Sequence, residues 1–304
     1  MTDGPSGGGL FTPEPFPSLR GTSEGMETRE ISAATAERYE SLKERLAELG
    51  SVVIGYSGGV DSVFLSVAAV QTLGADRVLA VTGRSASVPG IQLDMARDCA
   101  ERFGVPHLEL QTDELADPNY AANPSNRCYF CKSELWSRLD AVARERGYAF
   151  VIDGANADDA RDYRPGARAA EERGVQSPMQ DAGLTKQDIR ALSRMLGLPT
   201  WDQPAAPCLA SRLPYGLAVT PQRLRAVELA EDGLRAVGLR EFRVRHHGDA
   251  ARLELTLDDM ERAPVEAAAW MAAVRAAGFA RVLLDVDGYR RGALNEVLVQ
   301  LGGA

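Results

Sequence analysis

The stretch Val52-Val53-Ile54-Gly55-Tyr56-Ser57-Gly58-Gly59-Val60-Asp61-Ser62 joins an apolar run to a glycine-rich turn, and the apolar residues 63–70 follow directly. This order predicts a buried strand, a tight loop and a helix. Glycines in the loop accept positive φ and let phosphate oxygens approach the backbone, and the start of the helix adds unpaired N–H donors. No Walker-type lysine follows, so we predict a pyrophosphate-binding loop of another kind. A strand-to-helix turn without a ligand is the alternative.

Further apolar runs at residues 78–81, 107–110 and 150–152 are separated by stretches of helical periodicity. This alternation predicts an α/β fold with a doubly wound parallel sheet. Ligands of such sheets bind beyond the carboxyl ends of the strands. Residues 82–85 and 153–156 would emerge there beside the loop, so we expect three strand ends around one crevice.

A proline-rich segment at residues 198–207 interrupts the helical patterns, and we place a domain boundary there. Residues 29–199 then form the nucleotide-binding domain. Residues 200–304 form a smaller α+β domain with the predicted order helix, strand, strand, helix, strand. Residues 1–28 are rich in glycine and proline and lack the pattern of a secretory signal, so we expect a disordered leader in a cytoplasmic protein.

The chain has 304 residues, of which 45% are hydrophobic, and a formal charge of -9. Binding to nucleic acid rests on clustered Lys and Arg, so the acidic balance argues against such a partner. No apolar run reaches the roughly 18 residues that suggest a membrane-spanning helix. These features indicate a soluble globular protein without a nucleic-acid or membrane partner.

Three of the four cysteines are candidates for one site. Cys128 and Cys131 form a CxxC at the start of a predicted helix, and Cys208 follows the proline-rich segment. A helix N-terminus and nearby cations are expected to lower the pKa of such thiols. Three thiolates suit an iron–sulfur cluster with one open iron. A zinc site, a redox pair and unrelated buried cysteines remain the alternatives, and the phase of Cys99 on its helix favours core packing.

The loop string at residues 57–62 resembles the signature of the N-type ATP pyrophosphatases, which split ATP between its α- and β-phosphates. Four further motifs follow in order, at residues 126–132, 153–166, 207–216 and 244–247. Together they resemble the ATP-dependent sulfur transferases of nickel-pincer nucleotide biosynthesis, the LarE family. The resemblance extends from about residue 35 to about residue 300.

The resemblance implies an enzyme that uses ATP and Mg²⁺ to adenylate the carboxylates of pyridinium-3,5-biscarboxylic acid mononucleotide, a precursor of the lactate racemase cofactor. Sulfur then displaces AMP and leaves a thiocarboxylate. Some members of the family take this sulfur from a cysteine at the position of Cys208, whereas others hold a [4Fe-4S] cluster on three cysteines. The Cys128–Cys131 pair is absent from the sacrificial type, so we expect the cluster-dependent version, a sulfide donor and a homo-oligomer.

The resemblance also assigns site residues. The candidate ATP contacts are Ser57, Gly58, Gly59, Val60, Asp61, Ser62, Thr82, Arg84, Ser85 and Lys132. The candidate substrate contacts are Ser211, Arg212, Arg243, Arg245 and Glu254. The candidate catalytic residues are Cys128, Cys131, Cys208 and Asp61, and the candidate Mg²⁺ ligands are Asp61 and Asp159, within an acidic segment that also contains Asp153, Asp158 and Asp162. A solvated loop is the alternative for this acidic segment. A plain strand-end residue is the alternative for Thr82, and a solvated strand face is the alternative for Arg243 and Arg245.

Three other functions are open to a chain of this pattern. A tRNA-thiolating enzyme also combines such a loop with three cysteines and a cluster, but it predicts a basic surface. An ammonia-using ligase of the NAD-synthetase kind would not need the cysteines. A nucleotide-binding or iron-sensing protein would bind ATP without releasing pyrophosphate.

Overall fold

Four parallel strands form the first sheet of the computed structural model, which describes residues 31–161 and 165–290. In sequence order they are β1 (Val52–Gly55), β2 (Val78–Arg84), β3 (His107–Gln111) and β4 (Phe150–Ile152). Their spatial order is β3-β2-β1-β4. The chain winds outward from β1 through β2 and β3 and then returns to the other side of β1. Ligands of open parallel sheets bind at such a switch point, and the glycine-rich loop follows β1.

Helices cover both faces of this sheet. They are α1 (Ala33–Leu49), α2 (Val60–Leu73), α3 (Gly90–Arg102), α4 (Pro118–Ala121), α5 (Arg127–Arg146), α6 (Pro165–Glu171), α7 (Pro178–Asp181) and α8 (Lys186–Met195). Val52 and Ile54 belong to the core formed with α1, α2 and α8, whereas Val53 packs with Trp136 and Leu139 of α5. Successive strand side chains point to opposite faces, so β1 is apolar throughout because both of its faces are buried.

The helix α2 is apolar on all sides. Its residues from Val60 to Ala69 are buried except for Asp61, and the helix contacts α1, α3, α8 and strands β1 and β2. A helix that is hydrophobic all round belongs to a core rather than to a surface. The packing therefore fixes the position of the first turn of α2, where the loop delivers its backbone donors.

A second sheet of three strands follows the proline-rich segment. It consists of β5 (Phe242–His247), β6 (Ala250–Leu255) and β7 (Arg281–Leu284), in that spatial order, with β5 antiparallel and β7 parallel to β6. Helices α9 (Pro221–Ala236) and α10 (Leu257–Ala276) pack on the face that carries Phe242 and Val244. The alternate residues Arg243 and Arg245 lie on the opposite face. The predicted α/β fold with a smaller α+β unit is confirmed.

The strands β2 and β3 are longer than the apolar runs that predict them. The strand β2 continues through Arg84 and β3 through Gln111, because Thr82, Gly83 and Arg84 pair with residues 109–111. Within residues 31–161 and 165–290, every helix is too short or too polar to cross a bilayer. The boundary between residues 199 and 200 stays a prediction, and the predicted leader (residues 1–28), Asp162 and residues 291–304 lie outside the described residues.

Candidate active site

The loop between β1 and α2 has the geometry of an anion site. Gly58 has a φ of 72°, and a Cβ at this position would lie 2.9 Å from the Ala96 backbone nitrogen. Only glycine meets both requirements without strain. Gly59 precedes α2 as its N-cap and makes no side-chain cap bond, so the first N–H groups of the helix stay open to an anion.

Hydroxyl groups hold this loop in place. The buried Ser62 Oγ donates to the Gly59 carbonyl (3.1 Å) and accepts from the Ser57 amide (3.1 Å). The Gln92 side chain on α3 donates to the Ser57 carbonyl (2.9 Å). Ser62 therefore shapes the loop from inside, whereas the exposed Ser57 is the hydroxyl that is accessible to a ligand.

The Asp61 carboxylate lies in the first turn of α2 and pairs with Lys186 at 2.5 Å through Oδ2. Its Oδ1 is buried and has no hydrogen-bond partner among the described residues. The end of β4 is adjacent, since a Cβ on Gly154 would lie 3.4 Å from the Asp61 Cβ. A buried carboxylate oxygen without a donor is costly unless it meets a cation, so Asp61 fits the predicted Mg²⁺ ligand.

The acidic segment after β4 uses its carboxylates within the fold. Asp153 accepts from the Ser177 hydroxyl (2.8 Å), Asp158 from the Lys186 amide (2.8 Å) and Asp159 from the Asn156 amide (3.0 Å). In the described part of the chain, no three His, Cys, Asp or Glu side chains are grouped so that they could hold one metal ion. The role of Asp159 as a Mg²⁺ ligand stays a prediction.

The residues predicted to line the nucleotide differ in their accessibility. Thr82 is buried, and its hydroxyl contacts the Tyr56 carbonyl and the His107 Nε2 at 2.8 Å each. Arg84 is exposed at the end of β2, and Ser85 donates to Glu114 at 2.5 Å. Lys132 projects from α5, where its Nζ lies 5.0 Å from the centre of the Trp136 ring. Their predicted nucleotide contacts remain predictions.

The three candidate thiols are close neighbours. Cys128 and Cys131 lie in the first two turns of α5, and Cys208 precedes the short helical turn Leu209–Arg212. Electrostatic interactions connect Cys208 with both other thiols and connect Cys128 with Cys131. Cys131 and Cys208 pack at the border of the second core, whereas Cys99 is buried in the first core, as predicted. The fold thus brings together thiols about 80 residues apart in sequence.

The electrostatics of two of these thiols differ from the expectation. Desolvation by the surrounding chain, followed by the Cys208 thiol, raises the pKa of Cys131 to about 12. The same two causes raise the pKa of Cys128, although Arg127 and Lys132 oppose the shift. The expected lowering of the pKa is wrong for this pair because burial outweighs the helix terminus and the cations. A cation or base is needed to remove these protons.

The three candidate substrate arginines lie together beside Cys208. Arg212 forms a buried pair with Glu231 at 2.8 and 3.0 Å, and Arg245 forms one with Glu254 at 2.8 Å twice. Arg243 has no carboxylate partner in the described residues and instead donates to the backbone carbonyls of residues 205 and 242 and to the Tyr289 hydroxyl (3.2 Å). Burial, followed by the charge of Arg212, lowers the pKa of Arg243. The positive charge of Arg243 is therefore not balanced by a carboxylate of the described residues.

Ser211 connects this arginine group to the thiol segment. Its hydroxyl donates to the Cys208 carbonyl (2.7 Å), and its own carbonyl accepts from Arg245 Nη1 (2.8 Å). Arg212 Nη1 reaches the Pro207 carbonyl (2.6 Å). The buried arginine pairs thus fix the backbone that carries Cys208.

Sequence reasoning missed Lys186 and Glu231 as site residues. Lys186 begins α8, where the positive end of the helix dipole disfavours a cation. A lysine at this position indicates that a carboxylate lies nearby to compensate it. Glu231 shares the apolar face of α9 with Val227 and Leu234. An acidic residue in phase with such a face predicts a buried carboxylate that needs a cation.

A family described as NAD synthase matches residues 34–146 of this chain. An uncharacterized protein from Synechocystis sp. is 44% identical over 86% of the chain and 98% of its own length. An uncharacterized protein from Methanocaldococcus jannaschii is 27% identical over 82% of the chain and 94% of its own length.

Pyridinium-3,5-bisthiocarboxylic acid mononucleotide synthase from Lactiplantibacillus plantarum is 35% identical to the chain. The similarity covers 88% of this chain and 97% of that synthase, so it includes both sheets, the glycine-rich loop and the thiol segment. The chain therefore belongs to the family of this synthase, the LarE family of PP-loop enzymes.

Proposed function

We propose that this PP-loop enzyme adenylates the carboxylates of pyridinium-3,5-biscarboxylic acid mononucleotide and replaces AMP with sulfur. The relative from L. plantarum is named for the bisthiocarboxylic acid product, which differs from the biscarboxylic acid by sulfur in place of oxygen. The observation that carries the proposal is the convergence of three thiols on an arginine-rich face. An ammonia-using ligase has no need of this arrangement.

In the proposed first step, a substrate carboxylate oxygen attacks the α-phosphorus of ATP, and the bond to the bridging oxygen of pyrophosphate breaks. Negative charge accumulates on the leaving pyrophosphate. The open N–H groups at the start of α2 stabilise that charge. Asp61 would hold Mg²⁺ through its unpartnered Oδ1, and Mg²⁺, when bound, neutralises the phosphate oxygens.

In the proposed second step, a sulfur nucleophile attacks the acyl carbon of the adenylate, and the C–O bond to AMP breaks. AMP leaves with the bonding electron pair, so no net oxidation occurs. Arg243, which lacks a carboxylate partner in the described part of the chain, is suited to hold the phosphate or the second carboxylate of the substrate. Arg212 and Arg245 act by fixing the Cys208 backbone, and Glu254 by holding Arg245.

The three thiols fit an iron–sulfur cluster by donor type. Sulfur is the preferred ligand of such clusters, and four irons span more space than one ion. In the part of the chain that the structure describes, the thiols do not form a group that could hold one metal ion, so the cluster is proposed from the donor type and the motifs. When bound, a [4Fe-4S] cluster on Cys128, Cys131 and Cys208 would supply the sulfur nucleophile through its fourth iron, and a separate sulfide donor would replenish it.

The adenylation half of the proposal is tested by AMP and pyrophosphate release from anaerobically purified protein supplied with ATP, Mg²⁺ and the pyridinium substrate. We expect equal amounts of both products, a loss of about 10²-fold or more in Asp61→Asn, and no loss in the exposed control Asp94→Asn. No release by the parent protein would refute adenylation. Amide formation from added ammonia would support the ligase function instead.

The cluster is tested by iron and acid-labile sulfide content after anaerobic reconstitution. The parent protein is expected to hold about four irons per chain, the double variant Cys128→Ala, Cys131→Ala none, and the core variant Cys99→Ala as many as the parent. An iron-free parent would remove the cluster from the proposal and leave Cys208 as the candidate sulfur source.

A further inference from the structure

The segment before the CxxC contains a strained residue. Asn123 has a φ of 56°, which makes it the one non-glycine residue with positive φ among those described, and it is fully buried. Among residues other than glycine, Asn and Asp adopt this geometry most readily, and it persists where surrounding contacts hold it. Asn123 follows α4 and precedes Cys128 by five positions.

The contacts of Asn123 connect two distant segments. Its Nδ2 donates to the carbonyls of Pro214 (2.7 Å) and Leu217 (2.9 Å), and its own carbonyl accepts from the Gly216 amide (2.9 Å). Residues 214–217 follow the Cys208 segment directly. The Asn123 Oδ1 accepts from Arg127 Nη1. The Asn123 side chain therefore connects the start of α5, which carries the CxxC motif, to the segment that follows Cys208 in sequence.

Arg127 completes this connection. Its side chain is buried, and Nη1 also donates to the Ala210 carbonyl (2.9 Å), two residues after Cys208. In the described ranges no carboxylate pairs with Arg127, in contrast to the buried Arg212 and Arg245. Its electrostatic neighbours are the Cys208 and Cys128 thiols and two tyrosines, which are neutral when protonated. Arg127 is therefore a buried positive charge beside these sulfurs.

We propose that Asn123 and Arg127 form a positioning pair that holds Cys208 beside Cys128 and Cys131, and that Arg127 supplies a positive potential at these sulfurs. The pair acts through the backbone of residues 210–217 and is distinct from the residues that touch ATP. This inference deepens the proposed function, on which the purpose of the thiols rests. The spacing of the thiols and the potential at them are properties of the metal-free chain and are measurable in it.

The positioning part is tested by thiol cross-linking in the reduced, full-length, metal-free protein. Dibromobimane, a short bifunctional reagent, should join Cys208 to Cys128 or Cys131 in the parent protein, and peptide mass spectrometry identifies the pair. We expect the cross-linking rate to fall about tenfold in Asn123→Gly, which keeps the backbone geometry but lacks the amide, and in Arg127→Met. The exposed controls Asn119→Gly and Arg138→Met, on α4 and α5, should react at the parent rate.

The charge part is tested by the ratio of alkylation rates of Cys128 with anionic iodoacetate and neutral iodoacetamide. The ratio cancels the fraction of thiolate and reports the local potential. At low salt we expect it to fall about threefold in Arg127→Met and to be retained in Arg127→Lys, because lysine keeps the charge.

Circular dichroism and thermal midpoints establish that each variant is folded, and Arg127→Lys provides a conservative replacement if Arg127→Met does not fold. Parent rates of cross-linking in folded Asn123→Gly, and in Arg127→Met if it folds, would overturn the positioning role. An alkylation ratio in folded Arg127→Met equal to that of the parent protein would overturn the positive potential. If Arg127→Met does not fold, Arg127→Lys is compared with a folded Arg127→Ala. Equal ratios in those two variants would overturn the potential, and a different ratio in the uncharged variant would support it. Neither readout depends on iron or turnover, so failure of the proposed function would be recognised separately.

Discussion

Buried arginines in this protein form two groups that differ in their partners. Arg212 and Arg245 each grip a buried glutamate with two hydrogen bonds. Arg127 and Arg243 have no carboxylate partner in the described residues and donate to the Ala210 and Ala205 carbonyls. Bidentate pairing is a strong and geometrically specific interaction. The first group therefore stabilises the architecture, and we propose that the second group offers charge to the thiols and the substrate.

The substitution Arg212→Met should destabilise the fold by about 3–5 kcal/mol, because it leaves Glu231 buried with only the more distant Arg235 as a partner. Adding Glu231→Gln should recover part of the loss, since the uncompensated charge is then removed. Urea unfolding of both single variants and the double variant measures the coupling. Additive losses in the double variant would contradict the pairing.

The substitution Gly58→Ala should weaken ATP binding as well as stability. Both Gly58 (φ 72°) and Gly74 (φ 84°) disfavour a Cβ, but only at Gly58 would the added atom meet another backbone, that of Ala96. We expect each alanine to cost about 1 kcal/mol or more of folding free energy. Calorimetric titration with ATP should show weakened binding for Gly58→Ala alone. Equal ATP affinity in both variants would argue against the loop as the phosphate site.

Among the elements, the start of α8 supports α2, the helix that follows the glycine-rich loop. Thr185 and Asp188 form a capping box there, and the Asp158 carboxylate from the segment after β4 accepts from the Lys186 amide. This arrangement directs Lys186 at Asp61. The start of α8 and the segment after β4 thus lie together beside Asp61, in the candidate phosphate site.

The substitution Lys186→Met should tighten binding of a divalent cation to the nucleotide-free protein, by up to about tenfold, because it removes the cation that competes for Asp61. Titration with Mn²⁺ followed by electron paramagnetic resonance measures the affinity. Lys43→Met, which removes a lysine paired with Glu40 on α1, is the control. Unchanged or weaker Mn²⁺ binding in Lys186→Met would show that Asp61 does not bind the cation.

The capping of α8 also predicts a pH dependence. Although burial opposes the shift, hydrogen bonds from Thr35, Thr185 and Arg38 lower the pKa of Asp188 to about 2. A carboxylate with a depressed folded-state pKa stabilises the protein above its unfolded pKa, and this contribution is lost as the pH falls from about 4 to about 2. Asp188→Asn should lose about 1–2 kcal/mol at pH 7, about half of that at pH 3 and little at pH 2, measured by urea unfolding. A difference that does not change with pH would contradict this assignment, and Asp94→Asn serves as the exposed control.

At the scale of the whole molecule, the sequence was sufficient for features that depend on local pattern. The glycine-rich loop at residues 57–59, the alternating strands and helices and the αββαβ order of the second unit all follow from periodicity and turn chemistry. The acidic segment was less predictable, because its carboxylates also suit turns. In the structure Asp153, Asp158 and Asp159 cap backbone amides or hydroxyls.

Long-range partners were not predictable from one sequence. The pairing of Arg212 with Glu231, of Asp61 with Lys186 and of Asn123 with residues 214–217 joins segments that no periodic pattern relates. The raised pKa of Cys131 also depends on the tertiary structure, since desolvation outweighs the local cations. Self-association of the chain stays a prediction, which light scattering of the purified protein would test.

We propose that sulfur from outside the chain reaches the activated carboxylate. The most direct test supplies sulfide labelled with sulfur-34 to the reconstituted protein together with ATP, Mg²⁺ and the pyridinium substrate, and measures the masses of the product and of the peptide containing Cys208. The account predicts a labelled thiocarboxylate and an intact Cys208. An unlabelled thiocarboxylate with dehydroalanine at position 208, or no thiocarboxylate at all, would contradict it.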